Sequence, residues 1–225
     1  WTANNYDLSL ELYGIKNVVA SVSGFRKEIT GFFNTTRYES TVEGLAEIGL
    51  PDDYLGYEII TKRNGGQATI SGIEVEYRQL LTFLPGWARG TQIFGNLTSM
   101  DLSGPNENDF SGFTSKTGNW GVSFSRGRLN ARVGVNYTGT RRLSSVASSA
   151  TVRPNSYNYY APQTRVDASF DLMISRNYSI YGDVRNLQGA PLRRGTWSPD
   201  TPEHAKFDVV QNAGTFFTVG VKGRF

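Results

Sequence analysis

The chain has 225 residues, enough for one large domain or two small ones, and only 38% are hydrophobic, with a formal net charge of +3. No run approaches the roughly 18 apolar residues of a membrane helix. Lys and Arg are scattered rather than gathered into a stripe suited to nucleic acid, and the lack of Cys removes disulfides and thiolate metal sites. What composition leaves open is a β protein punctuated by 25 Gly, 12 Tyr and 13 Phe, either a soluble sandwich or a membrane barrel.

Successive side chains of a strand point to opposite faces, so alternation is the signal to follow along the chain. Residues 7–13 set Leu8, Leu10 and Leu12 against Asp7, Ser9 and Glu11, which predicts a strand. A short turn at 14–17 leads to a second strand over 18–33, and residues 34–56 form a long acidic loop with a short helix near 42–48. A third strand is expected over 57–81, interrupted at Asn64-Gly65-Gly66, with Ile73, Val75, Tyr77 and Leu81 opposing Glu74, Glu76 and Arg78. Residues 83–89, with Pro85-Gly86, make a compact turn into a fourth strand at 90–100. A Gly/Asn/Pro loop over 101–112 precedes a fifth strand at 113–125, which carries Trp120, Val122 and Phe124 on one face.

The tight turn 126–128 opens the cleanest strand, 129–137, with Leu129, Ala131, Val133, Val135 and Tyr137 against Asn130, Arg132, Gly134 and Asn136. A long Ser/Tyr/Asn loop is expected over 139–161. Strands follow at 162–174 and 178–187, joined by the short turn 175–177, and a second long loop is expected over 188–212. The closing strand, 215–225, puts Phe217, Val219, Val221, Gly223 and Phe225 on one face and Phe216, Thr218, Gly220, Lys222 and Arg224 on the other. Eleven such residues, tilted, cross the hydrocarbon layer of a bilayer.

Connections alternate in length. Those near Lys16, Gly86, Gly127 and Arg176 are short, and those centred near Gly44, Asn106, Asn155 and Pro199 are long. Membrane barrels pair short periplasmic turns with long outer loops in this way. The pattern predicts an all-β fold, an antiparallel transmembrane β-barrel segment. Nine strands is an odd number, whereas bacterial single-chain barrels have even counts, so the segment reads as the tail of a larger barrel. Trp1 in place of Met, with no secretory-signal pattern, predicts a processed product or a piece of a longer chain. Glu74, Glu76, Arg78, Arg132, Arg165, Asp167, Asp171, Asp183 and Arg185 lie opposite apolar neighbours and are expected to face the lumen.

Four stretches resemble one family. They are Asn5-Tyr6-Asp7-Leu8-Ser9-Leu10-Glu11 with Phe25-Arg26-Lys27-Glu28-Ile29, then Asn64 through Gly72-Ile73-Glu74 with Gly95-Asn96-Leu97-Thr98, then Tyr181 through Arg185-Asn186-Leu187, and finally the closing strand ending at Phe225. Their order and spacing are similar to the C-terminal barrel portion of TonB-dependent outer-membrane receptors. Gly223 departs from the aromatic that family members often have two residues before the end.

The resemblance implies that residues 1–225 are the last nine or so strands of a 22-stranded barrel, with the plug domain and roughly the first thirteen strands absent. It implies active import, with energy delivered through TonB, of a scarce large solute of the siderophore-iron, cobalamin or glycan class. It further implies a bacterial outer-membrane location and contact with outer-membrane lipid. Contact with the TonB complex would run through the plug, and contact with the barrel assembly machinery through the closing strand, with Phe225 as assembly signal. Two alternatives stay open: another outer-membrane barrel, such as a small porin or adhesin, and a soluble β-sandwich that binds carbohydrate.

No catalytic constellation stands out, and neither enzyme activity nor a cofactor is expected. His204 is the only His, and with Asp200 and Glu203 nearby in a Pro-rich loop it reads as solvated rather than as a metal site. Glu74 and Glu76 sit about 7 Å apart along one strand face, a spacing that glycosidases use but that any polar strand face shares. Asn96-Leu97-Thr98 has the form of a glycosylation triplet, and strand composition accounts for it. Candidate ligand contacts lie in the long outer loops, with Arg153, Tyr157, Tyr159 and Tyr160 in one and Arg193, Arg194 and Trp197 in the other. The same residues would also serve as an interfacial aromatic girdle with lipopolysaccharide-facing cations.

Overall fold

A computed structural model describes residues 1–105, 110–146, 152–153, 155–206 and 208–224. In chain order the strands are β1 (Thr2–Leu12), β2 (Val18–Glu39), β3 (Glu58–Leu80), β4 (Thr91–Ser103), β5 (Lys116–Arg126), β6 (Leu129–Thr138), β7 (Arg141–Val146), β8 (Ser156–Tyr160), β9 (Gln163–Met173), β10 (Tyr178–Arg185), β11 (Leu192–Trp197), β12 (Val209–Gln211) and β13 (Phe216–Gly223), with one short helix, α1 (Val42–Glu47). A nine-stranded sheet runs β1-β2-β3-β4-β5-β6-β9-β10-β13, and a separate four-stranded sheet runs β12-β11-β8-β7. Every pairing is antiparallel. Among the described residues no helix is long and apolar enough to cross a membrane.

The nine strands of the large sheet are the nine that alternation predicts. Their register keeps each face continuous: Val75 lies opposite Leu97, Val122 opposite Val133, Val133 opposite Ala168, and Ile180 opposite Val221. This apolar face is bare. Leu8 and Leu10 are each 76% exposed and Val219 is 69% exposed, so no second layer covers it as a sandwich core would require. The buried apolar cluster is small, consisting of Ile29, Phe32 and Ala68 with Ile70, Leu102 and Phe110 packed against it.

The sequence boundaries need five corrections. β1 begins at Thr2, and β2 runs on to Glu39 because β2 and β3 form a long two-stranded arm capped by α1. Thr41 caps α1 by accepting the Gly44 N–H at 3.1 Å, and Leu45 is fully buried beneath it. β3 is not interrupted at Asn64-Gly65-Gly66; the register shifts there instead, around Gly31 with φ +74°. A Cβ at Gly66 would meet the Phe32 ring at 2.7 Å, so glycine at that position lets the ring lie across the bulge. β4 extends to Ser103.

The fifth correction is the largest: both loops expected over 139–161 and 188–212 contain strands, and these pair with each other as the second sheet. The long connections, β2 to β3, β4 to β5, β6 to β9 and β10 to β13, all leave the same end of the antiparallel strands. Three of them are joined, since Thr114 bridges to Arg141 and β8 pairs with β11. Phe225 and Asn106 lie outside the described residues.

Candidate functional site: a polar wall and an outer aromatic sheet

The polar face of the large sheet is built by the same alternation that bares the apolar one. Register sets Glu76 opposite Asn96, Asn96 opposite Asn119, Asn119 opposite Asn136 and Asn136 opposite Arg165. By the same register Glu74, Glu76, Arg78, Arg132, Arg165, Asp167, Asp171, Asp183 and Arg185 share one face, bordered by three shallow hollows of about 380–400 Å³ each. Most of these charges are satisfied laterally. Arg78 reaches Glu76 at 3.6 Å, Arg185 reaches Asp183 at 3.4 Å, and Lys222 donates to Asp171 at 2.8 Å. Such exposed pairs contribute little stability each. Arg132 stacks its guanidinium 4.1 Å over the Phe94 ring. The ring in turn lies across Gly121, where a Cβ would sit 2.9 Å from it. Glu76 borders one of the hollows and Glu74 does not, so the two carboxylates do not converge on a shared cleft.

Asn186 ties this wall to the outer sheet. It adopts φ +55° and is only 7% exposed. Its backbone N–H donates to Asp167 at 2.8 Å, and its side-chain amide donates to the carbonyls of Ala190 (3.1 Å) and Gly214 (2.9 Å) while accepting from the Ala190 N–H (2.8 Å). Asp167 also accepts from Asn136 at 2.9 Å. One residue thus pins both roots of the 186–215 connection to β9.

In the outer sheet, pairing of Trp197 with Tyr157 and of Gly195 with Tyr159 puts Tyr157, Tyr159, Arg193 and Trp197 on one face. Tyr159 and Trp197 stack with centroids 4.1 Å apart and planes 10° from parallel, and Tyr157 meets Tyr159 edge-on at 6.3 Å. Arg142 sits 5.2 Å over Tyr157, and on the opposite face Arg141 sits 4.6 Å over Tyr160. Burial pushes the Tyr159 hydroxyl above its usual 10.0, opposed by the nearby charges of Arg142 and Lys206.

A family model described as TonB dependent receptor-like, beta-barrel matches residues 1–187. The chain belongs to the TonB-dependent receptor β-barrel family. Among solved structures it superposes on a variant of the ferric enterobactin receptor from Pseudomonas aeruginosa at 21% identity, over 99% of this chain and 31% of that one, with a TM-score of 0.64. For the ferric citrate transporter FecA the identity is 13%, the coverage 98% and 31%, and the TM-score 0.62. For the siderophore receptor PiuA from Acinetobacter baumannii the values are 13%, 98% and 28%, and 0.61. At these identities the likeness shows the fold. The chain spans about a third of the length of these structures. No curated protein matches it.

In this receptor-family wall, the outer-loop residues named from sequence divide. Tyr157, Tyr159, Arg193 and Trp197 come together on one face, Tyr160 and Arg194 pair on the other, and Arg153 stands exposed outside both strands. Tyr157 is buried, so it supports the sheet more than it presents to solvent. Sequence reasoning passed over Arg141, Arg142 and Lys206, which the paired loops bring to the aromatics. The signals were the Thr140-Arg141-Arg142-Leu143 run directly after β6 and the strand-favouring Tyr157-Asn158-Tyr159-Tyr160. His204 is exposed, and among the described residues no group of three or more His, Cys, Asp or Glu converges for a metal.

Proposed function

We propose that the chain is a wall and outer-loop section of an outer-membrane receptor that imports a scarce, large solute with energy delivered through TonB. The observation that carries this reading is the two-faced single-layer sheet, apolar and bare on one side and charged on the other, in a chain of the TonB-dependent receptor family. The apolar face would meet lipid, and the nine charged residues from Glu74 to Arg185 would line the lumen. β1 and β13 stand at opposite ends of the strand order and each pairs on one side only, which favours a larger barrel that further strands complete. Outer-loop residues Tyr159, Arg193, Arg194 and Trp197 would meet the solute first, with Arg153, Tyr157 and Tyr160 close by in the same loops. The protein would move its solute without making or breaking bonds, as a transporter and not an enzyme. Siderophore-bound iron is favoured among solute classes because the ferric enterobactin, ferric citrate and siderophore receptors share the fold.

The test is uptake by cells that express the whole protein carrying this chain, with and without TonB, supplied with ferric siderophores, cobalamin or oligosaccharides. The expected result is accumulation of one class that stops when TonB is deleted, with the protein in the outer-membrane fraction. Accumulation that persists without TonB would favour the porin alternative.

A further inference from the structure

Past Thr30, β2 has left β1, and before Thr69, β3 has not yet met β4, so there the two strands pair only with each other. A ribbon of two strands is marginally stable on its own. In this ribbon stands Asn64-Gly65, the one place in the chain where Gly follows Asn. Both residues are exposed. The ladder is broken around them. Thr30 pairs with Gln67, Phe32 with Gly66 and Phe33 with Asn64, which leaves Gly31 and Gly65 without register partners. Such bulges disrupt the ladder locally. Asn34 loosens the segment further. Its Oδ1 is buried with no hydrogen-bond partner among the described residues, 3.8 Å from where a Cβ on Gly65 would sit. A buried acceptor left unpaired favours opening of the segment that buries it. The Asn64 side chain lies against the facing bulge, with Oδ1 3.3 Å from the Cβ position of Gly31.

We propose that Asn64-Gly65 is a self-modification site, where the asparagine converts to aspartate and isoaspartate without an enzyme. The Gly65 nitrogen gives its proton to solvent and attacks the Asn64 side-chain carbonyl carbon. A C–N bond forms and closes a five-membered imide, the bond to the side-chain nitrogen breaks, and ammonia leaves with a proton from solvent. Water then opens the ring at either carbonyl. Opening at the former side-chain carbonyl gives aspartate, and opening at the backbone carbonyl gives isoaspartate. No electrons are exchanged, and water is the only co-reactant. Glycine is the residue that lets its nitrogen approach most freely, because it carries no Cβ. A fully paired strand holds that nitrogen away from the side chain, whereas local opening of the bulged ribbon releases it. Either product sets a carboxylate beside Gly31, and isoaspartate adds a methylene to the backbone, which disturbs the register of the arm beyond the bulge.

The test incubates the whole protein carrying this chain, folded in detergent at mildly alkaline pH, in oxygen-18 water. The label separates conversion in the folded protein from conversion during digestion. Cleavage after Glu58 and Glu74 isolates residues 59–74 for mass spectrometry. Labelled aspartate and isoaspartate are expected at position 64, while Asn119 and Asn136, which precede Trp120 and Tyr137 in fully paired strands, stay unchanged. Gly65→Ala should slow conversion about tenfold. The added methyl fits, since nothing lies closer than 3.8 Å to it and Gly65 is not left-handed. The unaltered protein in urea is a second reference that needs no variant. Conversion at Asn64 no faster than at Asn119 and Asn136, a Gly65→Ala rate equal to the unaltered one, or conversion in urea with none in the folded protein would overturn the site.

Discussion

In the large sheet, β5, β6 and β9 run for 10 or 11 residues with unbroken alternation. In the outer sheet, β8, β11 and β12 run for five, six and three residues, and their order depends on a ring stack, two cation–π contacts and one glycine. The wall is specified by a period repeated over nine strands, so a slip of one residue would turn every apolar side chain to the polar face. The outer sheet is specified by a few contacts between segments distant in sequence. It should therefore open locally at lower free energy than the wall, as ligand-binding elements commonly do.

The largest expected effect tests the wall's two faces. Val133→Arg, on the apolar face of β6, should destabilise the folded barrel in membranes by about 2–4 kcal/mol if that face meets lipid near midplane. Arg132→Gln, one residue earlier on the polar face, should change barrel stability by less than about 1 kcal/mol. Comparable effects at the two positions in urea unfolding from vesicles would break the distinction between faces.

The junction comes next. Asn186→Ala removes the side-chain amide that pins both roots of the 186–215 connection, taking its donors from the part-buried Ala190 and Gly214 carbonyls and its acceptor from the Ala190 N–H, so a loss of about 2 kcal/mol is expected. Limited proteolysis should show earlier cleavage within 187–215 while the wall strands stay protected. Asn186→Asp, which sets a carboxylate oxygen against the same two carbonyls beside Asp167, should lose at least as much.

A smaller effect is expected within the outer sheet. Trp197→Ala should cost about 1–2 kcal/mol of local stability through the lost stack with Tyr159, read as faster amide exchange in β8 and β11 with no change in β5 or β6. Exchange that accelerates equally in the wall would mean that the two sheets fold as one unit.

The smallest effect is pH-dependent. Burial raises the Tyr159 pKa above 10.0, so the neutral phenol favours the folded sheet. That contribution is complete below the unfolded value near 10 and declines as pH rises through the higher folded value. The protection of β8, taken relative to the intrinsic base-catalysed exchange rate, should therefore fall above pH ~10, and Tyr159→Phe should remove that fall.

How far the sequence could be read follows the same division. Every strand of the large sheet was legible, because apolar residues such as Leu129, Ala131, Val133 and Val135 recur at period two whatever lies beside them. The charged face was legible for the same reason. The outer sheet was not. The two loops carry Ser, Gly, Pro and Asn in quantity, and β11 holds Arg193-Arg194-Gly195 with no apolar alternation to mark a strand. Its order comes from a partner segment about 36 residues away, as Thr196 opposite Asn158 and Arg194 opposite Tyr160 show. The tyrosines and Trp197 were picked out as ligand contacts by residue type alone. Lys206 was out of reach because only the space left by Gly195 brings it to them. Asn186 was visible as part of a family-like Arg185-Asn186-Leu187 motif, but its role as a clamp appears only when Ala190 and Gly214 fold back onto it.

The central claim is that one sheet divides lipid from lumen, and these 225 residues hold no cysteine to compete with one introduced into the sheet. Single cysteines placed along β6 from Leu129 to Thr138, in the whole protein carrying this chain and reconstituted in vesicles, would be probed with a water-soluble maleimide and a lipid-borne quencher. The account predicts strict alternation, with positions 130, 132, 134 and 136 labelled from water and positions 131, 133 and 135 quenched from lipid. Uniform labelling from water along β6, or protection of alternate positions without lipid quenching, would contradict it and point to a sheet whose apolar face is covered by protein.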